Sequence, residues 1–151
     1  MNEKIKMDGN PEEFIEENWN VFEKALQGNS DKAEKLLSDS NKLDKVLEKV
    51  EKICTTIGKF PVPIFSDVIN DIPKLIWLVR DYKNKKYSAI PYASIIAIVA
   101  GLVYFVSPID LIPDAIPLIG QLDDLGVMAV VLKVVGSDLD DYWNWHIMQM
   151  N

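Results

Sequence analysis

The sequence holds one cysteine and one histidine in 151 residues, and the two scarcities exclude a good deal. Cys54 has no second thiol for an internal disulfide, and zinc sites need three or four Cys or His ligands at characteristic spacings that are missing here. With His146 as the single imidazole, no Ser-His-Asp or Cys-His arrangement can be argued. Glycine-rich phosphate loops are also absent. Residues 1–30 lack a charged-then-apolar leader, so a reducing cytoplasmic compartment is the expectation, with association at the inner membrane as the alternative. Basic residues are lacking between Lys86 and Lys133, and 16 Lys plus Arg face 23 Asp plus Glu, for a formal net charge of −7. Nucleic-acid binding needs clustered cations on the phosphates, so nucleic acid is not an expected partner.

What is present reads as helix throughout. Asn10-Pro11-Glu12-Glu13 has the form of a cap, a first-turn proline and two acids against the helix dipole. Phe14, Ile15, Trp19, Phe22, Ala25 and Leu26 follow on one stripe up to Gly28. Ser30 can cap a short helix carrying Ala33, Leu36 and Leu37, interrupted over Ser38 to Asn41. A longer pattern then runs through Leu43, Val46, Leu47, Val50, Ile53, Cys54 and Ile57 to Gly58. Its outer residues mix Lys, Asp and Glu, as on a solvated helix face. Pro61 and Pro63 mark a loop. From Ile64 to Tyr82 the spacing predicts one helix kinked at Pro73, or two short ones.

From Tyr87 to Ile109 there are 23 residues without a charge. A helix apolar on every side is either the buried centre of a bundle or a membrane span. Between Pro91 and Pro108 it can hold about 16 residues, or roughly 24 Å at 1.5 Å each, short of a ~30 Å hydrocarbon core. The basic run Lys83, Lys85 and Lys86 nonetheless suits the cytoplasmic flank of a span. Prolines at 108, 113 and 117 predict an ordered apolar loop rather than helix or central strand. Asp123 can then cap a second apolar helix, Leu125 to Val135, that stops at Gly136. Ser137-Asp138-Leu139-Asp140 opens a last helix in a capping-box-like pattern.

The stretch Leu102-Val-Tyr-Phe-Val-Ser-Pro-Ile-Asp-Leu-Ile-Pro-Asp-Ala-Ile-Pro-Leu-Ile-Gly-Gln-Leu-Asp-Asp124 resembles the hallmark of the YkvA-like proteins, a bacterial family of unknown function. The resemblance covers about residues 64–145, including Leu78-Val-Arg-Asp-Tyr82 and Asp138-Leu-Asp-Asp-Tyr-Trp143, and has no counterpart over residues 1–60. It implies a helical domain with an apolar helix pair around the proline-aspartate loop, and no catalytic activity.

Three groups of residues carry whatever chemistry the sequence offers. Asp110, Asp114, Asp123 and Asp124 could converge on Mg²⁺ or Ca²⁺, or could serve the backbone as turn and cap acceptors, with Arg80 or Lys133 paired to one of them as a structural lock. Tyr142, Trp143 and Trp145 cover more than one helix face, so they cannot all enter one core and are candidates for an interface or a membrane boundary. Glu12, Glu13, Glu16 and Glu17, with Glu23 on the same helix, offer a negative face to a basic partner. Cys54 reads as a packed small hydrophobe, and His146 as a surface residue.

The expectation is an all-α single domain of about six helices around the apolar hairpin, with N-terminal amphipathic helices over 1–60 and the YkvA-like region over 61–151. The functional expectation is a non-catalytic protein with no cofactor. Its acidic surface, with Glu12, Glu13, Glu16, Glu17, Trp143 and Trp145 at the contact, would mask a basic protein partner, for example as an immunity protein neutralising a toxin nuclease. Two alternatives stand beside it: a membrane-associated protein inserting the hairpin 89–135, and a metal-dependent enzyme at the aspartate loop. The oligomeric state is open.

Overall fold

The computed structural model describes residues 19–57, 66–111 and 127–150. They are helical almost throughout: α1 (Trp19–Gln27), α2 (Ser30–Leu37), α3 (Ser40–Ile57), α4 (Ser66–Lys83), α5 (Tyr92–Leu111) and α6 (Gly136–Gln149), with a further helical stretch at 127–134. No strand occurs among the described residues, and the chain is an all-α single-domain bundle.

The core sits where the charge runs out. Along α5, Ile95, Ile98, Val99, Ala100, Leu102 and Phe105 have no exposed surface, and Ile96, Ala97 and Tyr104 are half-buried. α1, α2, α3 and α4 all pack against this helix. The buried residues they supply lie on the expected stripes: Leu26 from α1, Ala33 from α2, Leu43, Leu47 and Val50 from α3, and Ile72, Leu75, Ile76 and Val79 from α4. α6 docks on α4 through Leu139 and Tyr142. The stretch 127–134 contributes Val127, Met128, Val130 and Val131 to the same core.

Several boundaries differ from the sequence expectation. Ser30 is the first residue of α2 rather than its cap, a position taken by Asn29. The break before α3 is closed by side chains: the Ser38 hydroxyl donates to the Lys35 carbonyl (2.9 Å), and the Lys42 amide donates to Asp39 Oδ1 (3.2 Å). α4 is one helix, with Pro73 on an exposed side where a carbonyl relieved of its helical donor can turn to water. α5 continues past Pro108 to Leu111 instead of ending before the proline. Proline's fixed φ is itself helical. Its cost is one hydrogen bond and a steric clash, which the packing of the preceding turns offsets. Gly136 opens α6 rather than closing the helix before it, so no capping box forms at Ser137. The Asp138 carboxylate instead accepts the Ser94 hydroxyl at 2.6 Å, tying the start of α6 to the start of α5.

After α4 the chain reverses through Lys85, which takes φ 62°. The Asp81 carbonyl accepts the amides of Lys86 (2.8 Å) and Tyr87 (3.2 Å), closing the turn and setting Tyr87 beneath α6. Only a residue in the left-handed region can turn the chain this tightly, and a lysine held there costs about 1 kcal/mol.

α5 meets the 127–134 stretch at Gly101. A Cβ built on this glycine would lie 2.7 Å from Val131 Cγ2, 3.3 Å from Met128 Sδ and 3.6 Å from Leu26 Cδ1. Valine is stiff at χ1 in a helix and cannot swing clear, so overpacking of roughly 1–3 kcal/mol outweighs the ~1 kcal/mol that alanine gains in helix propensity. Gly101→Ala is therefore expected to lower the urea midpoint of unfolding, by up to about 2 kcal/mol in stability.

Candidate functional site

Of the residues singled out from the sequence, Glu12, Glu13, Glu16, Glu17, Asp114, Asp123 and Asp124 lie outside the described residues, and for Asp110 only the helical backbone of α5 is described. Among the described residues, no group of three or more His, Cys, Asp and Glu side chains is placed to hold a metal ion. Any pairing of Arg80 with the loop aspartates lies outside the described residues. The Arg80 guanidinium makes a two-point contact across to α3, with Nη1 to Glu51 Oε2 at 2.9 Å and Nη2 to Oε1 at 3.1 Å. This contact, opposed by partial burial and helped by the nearby Asp44 and Glu48, raises the Arg80 pKa above its ordinary value. Lys133 is exposed.

A tight polar arrangement lies at the same end of α4, on the residue after Arg80. The Tyr142 hydroxyl, on a fully buried ring of α6, donates to Asp81 Oδ2 of α4 at 2.6 Å. His146 Nδ1, one turn further along α6, is 3.4 Å from the same hydroxyl and 3.9 Å from Asp81 Oδ2. Aromatic rings close the group in. Tyr87 meets Tyr142 edge-on with centroids 5.0 Å apart, and Trp145 lies 5.0 Å from Tyr87. His146 stacks on Trp143 at 4.8 Å and tilts against Trp77 at 5.4 Å. Lys74 stands over the Trp143 ring, 5.1 Å from its centroid. His146 is thus a packed member of the α4–α6 contact, with 17% of its side chain exposed, and not the surface residue its sequence context suggested. Of the three clustered aromatics, Tyr142 enters the core while Trp143 and Trp145 are both half-buried.

This arrangement joins α6 to α4 and to Tyr87 of the turn that follows it. Burial, and then the hydrogen bond to the Asp81 carboxylate, push the Tyr142 pKa far above the usual tyrosine value, so the phenol keeps its proton and donates a hydrogen bond to Asp81. Tyr87 is raised in the same direction, chiefly by burial. The Cys54 thiol is pushed up to about 12 by burial and then by Glu51, which leaves it inert as a nucleophile and in keeping with a packed small hydrophobe.

A second feature emerges on α3, where the mixture of signs in the sequence sorts into two faces. Asp44, Glu48 and Glu51 share one side at helical spacing, and α4 answers them with Arg80 on Glu51 and with Lys83, whose Nζ lies 3.4 Å from Asp44 Oδ1 and 2.8 Å from the Ser40 hydroxyl. Lys42, Lys45 and Lys49 share the other side. The signal was available in the 100° spacing of the charges, which a reading along the chain averages into a solvated helix.

The described fold defines the class, an all-α bundle wrapped around one largely apolar helix. The family described as "Protein of unknown function (DUF1232)" matches residues 94–130, from the first turn of α5 into the helical stretch beyond. The chain is 28% identical over 79 residues to the Bacillus subtilis (strain 168) protein named "Uncharacterized membrane protein YkvA", an overlap of 52% of this chain and 74% of that one. The chain is thus similar to the YkvA-like proteins over about half of its length. No solved structure matches it.

The Tyr142–Asp81 contact generates a pH dependence whose sign is fixed. A tyrosine raised in the folded state contributes stability that is complete below the unfolded value of about 10 and is lost as pH rises beyond it, because the unfolded chain alone then releases the proton. Tyr142→Phe is expected to cost roughly 1.5–3 kcal/mol at pH 7, the range for a hydrogen bond to a charged group. The variant should also lose less stability than the parent between about pH 10 and 11, as read from urea midpoints across that range.

Proposed function

We propose that this protein is a non-catalytic helical module that associates with a membrane surface as an intact bundle, without inserting its apolar helix. The observation that carries the reading is the position of α5. Four helices enclose it, and its central residues have no contact with solvent. Lipid would accept α5 readily, so the cost of insertion falls on the helices left behind. Leu43, Leu47, Leu75 and Ile76, all fully or almost fully buried, would lose their partner. At roughly 1.5–3 kcal/mol each this approaches the ~5–15 kcal/mol that holds a whole domain together. No helix among the described residues is long and apolar enough to cross a membrane. The relative whose printed name is a membrane protein supports a membrane location, and the enclosure of α5 supports a peripheral one. The absence of catalysis draws on the inert state of Cys54 and on the burial of Tyr142.

A second reading keeps the acidic surface for a basic protein partner, as in an immunity protein held on a toxin nuclease. It draws on the net charge of −7 and on the half-buried Trp143 and Trp145, which stand on α6 beside the exposed Asp140 and Asp141.

Fractionation of source cells without detergent separates these readings. The peripheral reading expects the protein in the membrane pellet at low salt and its release by about 1 M salt, where the Debye length falls to roughly 3 Å. Release by detergent alone indicates insertion, and a soluble complex with a basic protein indicates masking.

A further inference from the structure

The lysine face of α3 does not stand alone. With α2 and the end of α5 it borders a groove of about 620 Å³, with Lys32 and Lys35 on one bank and Lys42, Lys45 and Lys49 on the other. The floor is apolar: half-buried Leu36 and Val46, and buried Val103 and Val106. Among the described residues one carboxylate lines it, that of Asp39, and it is engaged in capping α3 through the Lys42 amide. On a chain of net charge −7 this is a local concentration of five cations around an oily strip.

We infer that this groove binds the anionic phospholipid of a bilayer surface, the lysines meeting lipid phosphates while the floor takes up the glycerol and upper methylenes of a lipid beneath them. The inference rests on the peripheral reading above and assigns it a surface. Three observations select the occupant. Lysine is a flexible point charge on a long stem and suits phosphates presented in varying positions, which a fluid headgroup layer provides. The apolar floor has no use for a purely hydrophilic anion, and the groove volume lies within the range of small-ligand sites, roughly 300–1,000 Å³. The acidic side of the same helix is turned onto α4 and held there by Arg80 and Lys83. Repulsion from the rest of the chain does not cancel this attraction, because at physiological salt charges beyond about 8 Å are largely screened, whereas the groove lysines approach the surface directly.

The test uses the full chain with vesicles of phosphatidylcholine alone and of phosphatidylcholine with phosphatidylglycerol, read by co-sedimentation. A groove variant combines Lys35→Gln, Lys42→Gln and Lys45→Gln. A control variant combines Lys85→Gln, Lys86→Gln and Lys133→Gln, which changes net charge equally at exposed positions outside the groove. All six side chains are exposed, and circular dichroism verifies that both variants keep the parent's helix content. The parent is expected to bind phosphatidylglycerol vesicles and not phosphatidylcholine ones. At about fivefold per lysine, the groove variant should bind about a hundredfold more weakly, and the control within a few fold of the parent. Equal losses in the two variants would overturn the groove while leaving surface association intact. Failure of the parent to bind either vesicle would overturn both. Binding of a peptide spanning Glu12 to Glu17, lost in the groove variant and unaccompanied by vesicle binding, would give the groove to an acidic protein segment and overturn the lipid assignment.

Discussion

A helix that carries no charge from Tyr92 to Ile109 has no face to offer water over that length, and the organisation of this bundle follows from that constraint. α5 must be enclosed, and a cylinder about 10 Å across needs several neighbours to cover it. α1 to α4 are amphipathic for that reason. Each brings one apolar stripe to α5 and keeps its charges outside, so the hydropathy contrast between the first third of the chain and residues 87–109 is the contrast between a wrapper and its contents. Gly101 marks the limit of this packing, where the approach of Val131 leaves no room for a methyl group.

Most of the helical framework was legible because periodicity is a local property. Leu43, Leu47 and Val50 declare their burial by spacing alone, and so do Ile72, Leu75 and Val79. Termini were read less well. The stop expected before Pro108 applies a local rule to a helix whose buried turns can absorb a lost hydrogen bond, and Gly136 looked like a terminator although it begins α6. The polar centre of the α4–α6 contact was not legible at all. Asp81 and Tyr142 are 61 residues apart, and nothing in either neighbourhood names the other. The burial of His146 was not legible for the same reason: its ring neighbours include Trp77, on a different helix. The four loop aspartates, the most conspicuous feature of the sequence, are not among the residues whose surroundings the structure describes.

Charge on this molecule is organised by helix face rather than by segment. α3 turns its acids toward cations of α4 and its lysines toward the groove, so a nearly neutral helix acts as a two-sided connector. Exposed ion pairs such as Arg80 with Glu51 contribute little to stability, of the order of 1 kcal/mol or less. Their effect is orientational: by fixing which side of α3 meets α4, they fix which side carries the positive potential. Net charge therefore says little about what any one face would attract, because the relevant field is the one within a few ångströms of that face.

The bond from Tyr142 to Asp81 also acts as a clasp around everything between them, namely α5, the proline-aspartate segment and the helical stretch after it. The entropy of closing such a loop grows only with the logarithm of its length, so doubling the enclosed chain would add about 0.6 kcal/mol. The clasp is thus almost indifferent to how much chain it encircles. A bundle closed in this way leaves the segment inside it free to lengthen, shorten or change composition over evolutionary time while the two helices that hold it stay in register.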